Sequence, residues 1–291
     1  MMNTTELLKK VRRIEIKSRG LSSHLFSGEY HSAFKGRGMA FSEVREYQYG
    51  DDVRQIDWNV SARTNKPHIK VFEEERELTL MLLIDVSGST GFGTSSQTKS
   101  ELFAEIAATL AFSALSNNDK VGAILFSDKI ESYLPPRKGK SHILRIIRDI
   151  LNIEQSTSGT NLDGALRYLN NVVKKKSIAV LLSDFQAEIP YEQPLRSSAK
   201  KHDLIGINVF AAAEQQLPNI GLVQVIDPET GQHQWLDTSN PAVRQTYQNK
   251  IQQHHHYFRQ AFKKTKAQAL ELETDQPYTK VLDSFFKSRA R

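Results

Sequence analysis

The sequence predicts an α/β protein: an open, doubly wound, mostly parallel sheet with helices on both faces, preceded by an extension of mainly β and irregular structure. Three observations carry that expectation. The apolar runs Leu78–Val86, Val121–Ser127, Ile178–Ser183 and Leu204–Phe210 are strand-length and continuous rather than alternating, as in strands buried on both faces. Segments of helical period separate most of them, the rhythm of repeated strand–helix–strand units. A chain of 291 residues, 39% hydrophobic and 25% charged, is long enough for a substantial core.

Residues 4–16 read as a short amphipathic helix, with Leu7, Val11 and Ile14 at i, i+4 and i+7. An irregular stretch follows through Gly20, Ser22, Ser23, Ser27 and Gly28. Residues 36–76 are charge-dense and aromatic, with Tyr47, Tyr49, Trp58 and Phe72 among Arg45, Asp51, Asp52, Arg54, Asp57 and Arg63. In this strand-and-loop layer the acids and arginines are expected to pair with each other and Trp58 to pack. The competing reading is a docking surface anchored on Trp58 and Tyr47. Beyond residue 77, Leu102, Ile106, Leu110 and Ala114 line one face of a helix over 99–116. Further helices are expected over 141–151, 161–173 and 192–201. Asp227-Pro228-Glu229-Thr230-Gly231 between two apolar runs predicts a β-hairpin within 220–238. A long polar helix over 241–265, a last strand over 267–272 and a helix over 277–288 complete the reading. Tyr278, Val281, Leu282, Phe285 and Phe286 give that last helix its stripe. The expected division is an extension, 1–76, and a sheet domain, 77–291.

Composition excludes several functions. With no cysteine there are no disulfides, thiolate zinc sites, iron–sulfur clusters or cysteine nucleophiles. The net charge of +6 is concentrated in residues 241–291, with 10 basic against 4 acidic groups. No nucleic-acid signature accompanies it, so a solvated helix face is expected and no nucleic-acid partner. The basic residues of Met1–Arg19 precede no apolar signal region, and no run approaches the roughly 20 apolar residues of a spanning helix. A cytoplasmic protein without a transmembrane segment is the expectation.

The chemistry concentrates in Asp85-Val86-Ser87-Gly88-Ser89, which follows a buried strand. Ligands of open α/β sheets sit at the carboxyl ends of strands, so one carboxylate and two hydroxyls converge there. Thr160, in Ser158-Gly159-Thr160-Asn161, and Asp184, at the end of the 178–183 strand, reach the same edge. The five side chains offer only hard oxygen donors, suited to Mg²⁺ or another divalent cation such as Mn²⁺.

This ordered set resembles the metal-ion-dependent adhesion site of von Willebrand factor A domains, over about residues 77–291. Gly50-Asp51-Asp52-Val53-Arg54-Gln55-Ile56-Asp57-Trp58, then Ser61-Ala62-Arg63, resembles the signature of a bacterial family catalogued as domain of unknown function fifty-eight. Nearly the whole chain is similar to that family. The resemblance implies a Rossmann-like A-type fold, metal ligands Asp85, Ser87, Ser89, Thr160 and Asp184, and binding rather than catalysis. It implies as partner a MoxR-type AAA+ ATPase, a client protein offering an acidic side chain to the ion, or both, the chain acting as adaptor or co-chaperone.

Rival readings are weaker. A metal-dependent phosphohydrolase using Asp85 and Asp184 is the enzymatic alternative, but the dehalogenase type needs an acid where Ser87 stands. A structural subunit with an empty site is another. Gly139-Lys140-Ser141 ends like a P-loop, but Leu134 replaces its first glycine, and a basic turn before the next helix is expected. Adjacent His254, His255 and His256 point in different directions on a helix and are read as solvated surface.

Overall fold

A computed structural model describes residues 4–25, 40–73, 78–91, 97–153, 159–187, 190–226 and 233–290. The chain divides into two compact units, Lys35–Leu78 and a larger one formed by Met1–Phe34 with Thr79–Arg291.

In chain order the elements are α1 (Thr4–Leu25), β1 (Ala40–Glu46), α2 (Trp58–Thr64), β2 (His68–Glu73), β3 (Thr79–Asp85), α3 (Lys99–Ser116), β4 (Lys120–Phe126), β5 (Ile130–Arg137), α4 (Lys140–Asn152), α5 (Leu162–Val172), β6 (Ile178–Ser183), α6 (Glu192–Lys201), β7 (Asp203–Phe210), β8 (Leu222–Ile226), β9 (His233–Asp237), α7 (Pro241–Thr265), β10 (Gln268–Glu273) and α8 (Tyr278–Ala290).

In the smaller unit β1 pairs antiparallel with β2. The acids between them work locally. Asp57 caps α2 by accepting from the Asn59 and Val60 amides, and Asp52 caps the single turn at Val53–Gln55. Arg45 holds Asp51 bidentately, at 2.9 and 2.8 Å. The expected pairing of acids and arginines is therefore present. Trp58 differs from expectation: it is 72% exposed. It opens a helix with no buried residue, so its ring meets no core within this unit.

The larger unit is built on a six-stranded sheet of order β10-β7-β6-β3-β4-β5. All neighbours are parallel except β4 and β5. From β3 the chain first builds outward through β4 and β5. It then returns to the other side of β3 with β6, β7 and β10. The order reverses between β3 and β6, the place where open α/β sheets bind ligands. The helices α5, α6 and α7 enclose one buried cluster against the sheet, joining Met81, Leu83 and Leu181 to Leu166, Leu195 and Phe258. On the opposite side α3 is buried along most of its length. The first helix was expected in the extension and to end near residue 16. In the structure it runs to Leu25 and belongs to the larger unit, packing on α3 and α4 through Leu7, Val11 and Ile14. Lys140 reaches Glu15 across that contact at 2.6 Å. Among the described residues no helix is long and apolar enough to cross a membrane.

One strand lies where the sequence suggested a basic turn. Pro135 and Pro136 belong to β5, which pairs with β4 and, among the described residues, forms the sheet edge. The two prolines are tolerated there because the strand is an edge and its register with β4 shifts between Val121 and Ala123, opposite them.

Gly206 in β7 marks a close approach between sheet and helix. A Cβ at this position would fall 2.1 Å from the Phe262 ring of α7. Gly206→Ala is expected to cost about 1–3 kcal/mol in urea unfolding. Adding Phe262→Leu should recover part of that loss. A neutral single substitution, or no coupling between the two changes, would contradict the contact.

Candidate metal centre

All five predicted side chains meet at the carboxyl edge, across the point where the strand order reverses. Asp85 closes β3. Its Oδ1 accepts the Ser87 amide at 3.0 Å, which bends the chain into the single turn Gly88–Gly91. Thr90 steadies that turn by donating from Oγ1 to the Ser87 carbonyl at 2.7 Å. The turn brings Ser87 Oγ and Ser89 Oγ to 3.1 Å of each other.

Thr160 arrives on a separate loop. Its neighbour Asn161 anchors that loop, donating its amide to the Ser127 carbonyl beyond β4 at 2.8 Å and capping α5 through Gly164 at 2.8 Å. Thr160 Oγ1 then donates to Ser87 Oγ at 3.0 Å and lies 3.4 Å from Asp85 Oδ2. Asp184 follows β6. Its loop is pinned by Phe185, a non-glycine residue at φ 54° whose ring packs 4.5 Å from Phe258 and 5.6 Å from Phe262, centroid to centroid. A left-handed φ at a bulky residue stores strain, which this aromatic anchor offsets. All five side chains are buried, so the site is a pocket of oxygens rather than a surface cluster.

A family model described as "Protein of unknown function DUF58" matches residues 43–257. The chain belongs to this family. An uncharacterized protein of Mycobacterium tuberculosis is 29% identical to the DUF58 chain over 288 residues, 98% of this chain and 90% of the relative. Solved structures similar to it include an aerotolerance-related membrane protein from Bacteroides fragilis, at TM-score 0.48 and 13% identity, covering 73% of this chain and 98% of that one. BatB from Bacteroides thetaiotaomicron aligns at TM-score 0.47 and 16% identity, with the same coverage. The strand order, with β4 and β5 antiparallel at one edge, and the helices on both faces make this DUF58 protein an open, mostly parallel, doubly wound α/β domain.

The electrostatics of the site are uneven. Burial and the neighbouring charge of Asp184 push the Asp85 carboxyl up to about 6. Burial acts in the same direction on Asp184, but the Lys99 ammonium, with Ser89 and the Gln186 amide, holds that carboxyl below its usual range. The donor set fits a hard divalent cation. Every donor is a carboxylate or hydroxyl oxygen, and two like-charged carboxylates lie close enough to raise one of them. Among the described residues no cluster of three or more histidine or acidic side chains offers an alternative centre.

Three residues of this neighbourhood were not singled out by the sequence analysis. Ser183 donates to Asp85 Oδ2 at 2.6 Å and accepts the Phe185 amide at 3.0 Å, tying the two strand ends together. Lys99 and Glu214 extend the site on the far side of Asp184. Ser183 adjoins Asp184 in sequence and was within reach of a local reading. Lys99 carried a fainter signal, a lysine at the first position of a mainly apolar helix, where the dipole disfavours a cation. Glu214 had none. The histidines also depart from expectation. His255 is not solvated: its ring meets Glu271 Oε1 at 3.1 Å and Gln215 Nε2 at 3.1 Å. His254 is half-buried, and only His256 stands in solvent.

Proposed function

We propose that this DUF58 protein is a divalent-cation-dependent protein-interaction module. Asp85, Ser87, Ser89, Thr160 and Asp184 hold Mg²⁺ or Mn²⁺, and the bound ion engages an acidic side chain of a partner. The observation that carries the reading is the convergence of these five oxygen donors, from three separate loops, at the point where the strand order reverses. A divalent cation supplies positive potential that two carboxylates alone leave available to a third. The chain's own residues do the rest. Ser183 and the Ser87 amide orient Asp85, Asn161 holds the Thr160 loop, and Phe185 fixes the direction of Asp184.

The partner class follows from the family resemblance: a MoxR-type AAA+ ATPase, with the DUF58 chain as adaptor, or a client protein of such a system. Capture from native lysate by tagged wild type and Asp85→Ala, each with Mg²⁺ and with EDTA, tests the reading. An ATPase or acidic client retained by wild type with Mg²⁺ and lost in the other three samples is the expected result. The same proteins in all four samples would move the docking surface away from the ion site.

A further inference from the structure

Lys99 is a cation built into the candidate site. It is the first residue of α3, behind the N-cap Thr98, and its side chain is 0% exposed. A lysine buried at a helix N-terminus faces both desolvation and an unfavourable dipole, each of which favours loss of the proton. Two carboxylates reverse that outcome. Lys99 Nζ lies 2.9 Å from Asp184 Oδ2 and 2.6 Å from Glu214 Oε1.

The remaining contacts of the two acids show that the arrangement is built rather than incidental. Asp184 Oδ1 accepts the Gln186 amide at 3.2 Å, and Glu214 Oε2 accepts the Ala211 amide at 3.0 Å. Tyr247 of α7 in turn donates to the Glu214 carbonyl at 3.0 Å. Asp85, Asp184 and Glu214 with Lys99 sum to a formal charge of −2, which one divalent cation cancels. Lys99 touches the proposed ligand Asp184 directly, whereas Glu214 stands behind the lysine.

We propose that Lys99 is the positioning residue of the ion site: it holds the Asp184 carboxylate in place before the ion arrives and limits how tightly the ion is then bound. This rests on the ion-site reading above. An ammonium on one oxygen of Asp184 withdraws part of that carboxylate's charge from the ion. The bound ion keeps more positive potential for the partner's acid, and the pocket keeps its shape in the ion's absence. A salt bridge that merely stabilised the fold would leave ion affinity untouched.

The test is Mn²⁺ binding to the full chain, by calorimetry and by the electron paramagnetic resonance signal of free Mn²⁺, with melting curves in EDTA alongside. Lys99→Met takes the site to −3 and is expected to tighten Mn²⁺ about tenfold or more. Its metal-free form should melt well below wild type, and saturating Mn²⁺ should restore much of the difference. Glu214→Gln takes the site to −1, turns the ammonium wholly onto Asp184, and should weaken Mn²⁺ by about the same factor. The Glu214 variant keeps the proposal testable if Lys99→Met does not fold. Wild type that binds Mn²⁺ with an affinity unchanged in the variants overturns the role of Lys99 alone. Wild type that binds none overturns the ion site itself.

Discussion

Asp85→Asn is expected to make the metal-free protein more stable and blind to Mg²⁺. Asp85 is buried beside Asp184, and its carboxyl is pushed up to about 6, from an ordinary value of 3.8. The folded state therefore holds this proton to higher pH than the unfolded chain does. Stability from this group is greatest below about pH 4, falls as pH rises towards 6, and is lowest above that. At about 1.4 kcal/mol per pH unit the penalty at pH 7.5 approaches 3 kcal/mol. An asparagine carries no charge, and its oxygen still accepts the Ser87 amide that Asp85 accepts now. Allowing for a poorer contact with Ser183, a gain of about 1–2 kcal/mol in EDTA remains. Wild type at 100 times its dissociation constant for Mg²⁺ should gain about 2.7 kcal/mol, and the variant nothing. Urea unfolding at pH 7.5 with EDTA and with Mg²⁺ measures both. A variant less stable than wild type in EDTA, or one that still responds to Mg²⁺, would refute this account of Asp85.

That expected trade of stability for a response to metal explains why this part of the sequence was legible. A carboxylate at the end of a continuous apolar strand makes little sense as packing. Asp85 ends a strand whose residues from Leu80 onward are all buried, so the polar group stands out against it. Asp184 was legible for the same reason at the end of β6, and Thr160 from its place in the loop before α5. The sheet was equally open to reading. Strands β3 and β6 are continuously apolar from Leu80 to Ile84 and from Ile178 to Leu182 because helices cover both faces, and α5 shows a clean stripe of Leu162, Ala165, Leu166 and Leu169.

What escaped the sequence shares another physical cause. Residues whose chemistry normally predicts one environment were placed in another by tertiary contacts. Pro135 and Pro136 argue against a strand until the strand is known to be an edge. The stripe of α1 continues through Ser18, which is fully buried but polar, so the apolar period seemed to stop at Ile14. A lysine reads as solvent-facing, and only the approach of Asp184 and Glu214, distant in sequence, makes Lys99 a core residue. Trp58 erred in the opposite direction. A tryptophan reads as core, yet the short helix it opens has no buried residue to join.

A second large effect is expected at His202, with the opposite pH dependence. The residue follows α6 and is 2% exposed. Its Nδ1 pairs with Ser177 Oγ at 2.9 Å, while Nε2 has no partner among the described residues. Burial, with Lys201 nearby, lowers its pKa to about 4 from 6.5. Below about pH 6.5 the unfolded chain takes up a proton that the folded chain refuses, so stability falls as pH drops towards 4. The loss from this one ring is about 2–3 kcal/mol between pH 7 and pH 4. Asp85 gains stability over much of the same interval in metal-free protein, so the two groups offset each other and wild type should show a muted slope. His202→Asn keeps a group able to meet Ser177 and removes the titration. It should be less stable than wild type at pH 7, because the ring's packing is lost, and should narrow that deficit at pH 4.5. Asp85→Asn should show the reverse, a steeper acid loss than wild type, because the histidine is then unopposed. Urea unfolding in EDTA at the two pH values separates the contributions. Parallel pH profiles for wild type and His202→Asn would mean that the histidine is protonated in the folded protein after all, with water or a rearranged neighbour meeting its Nε2.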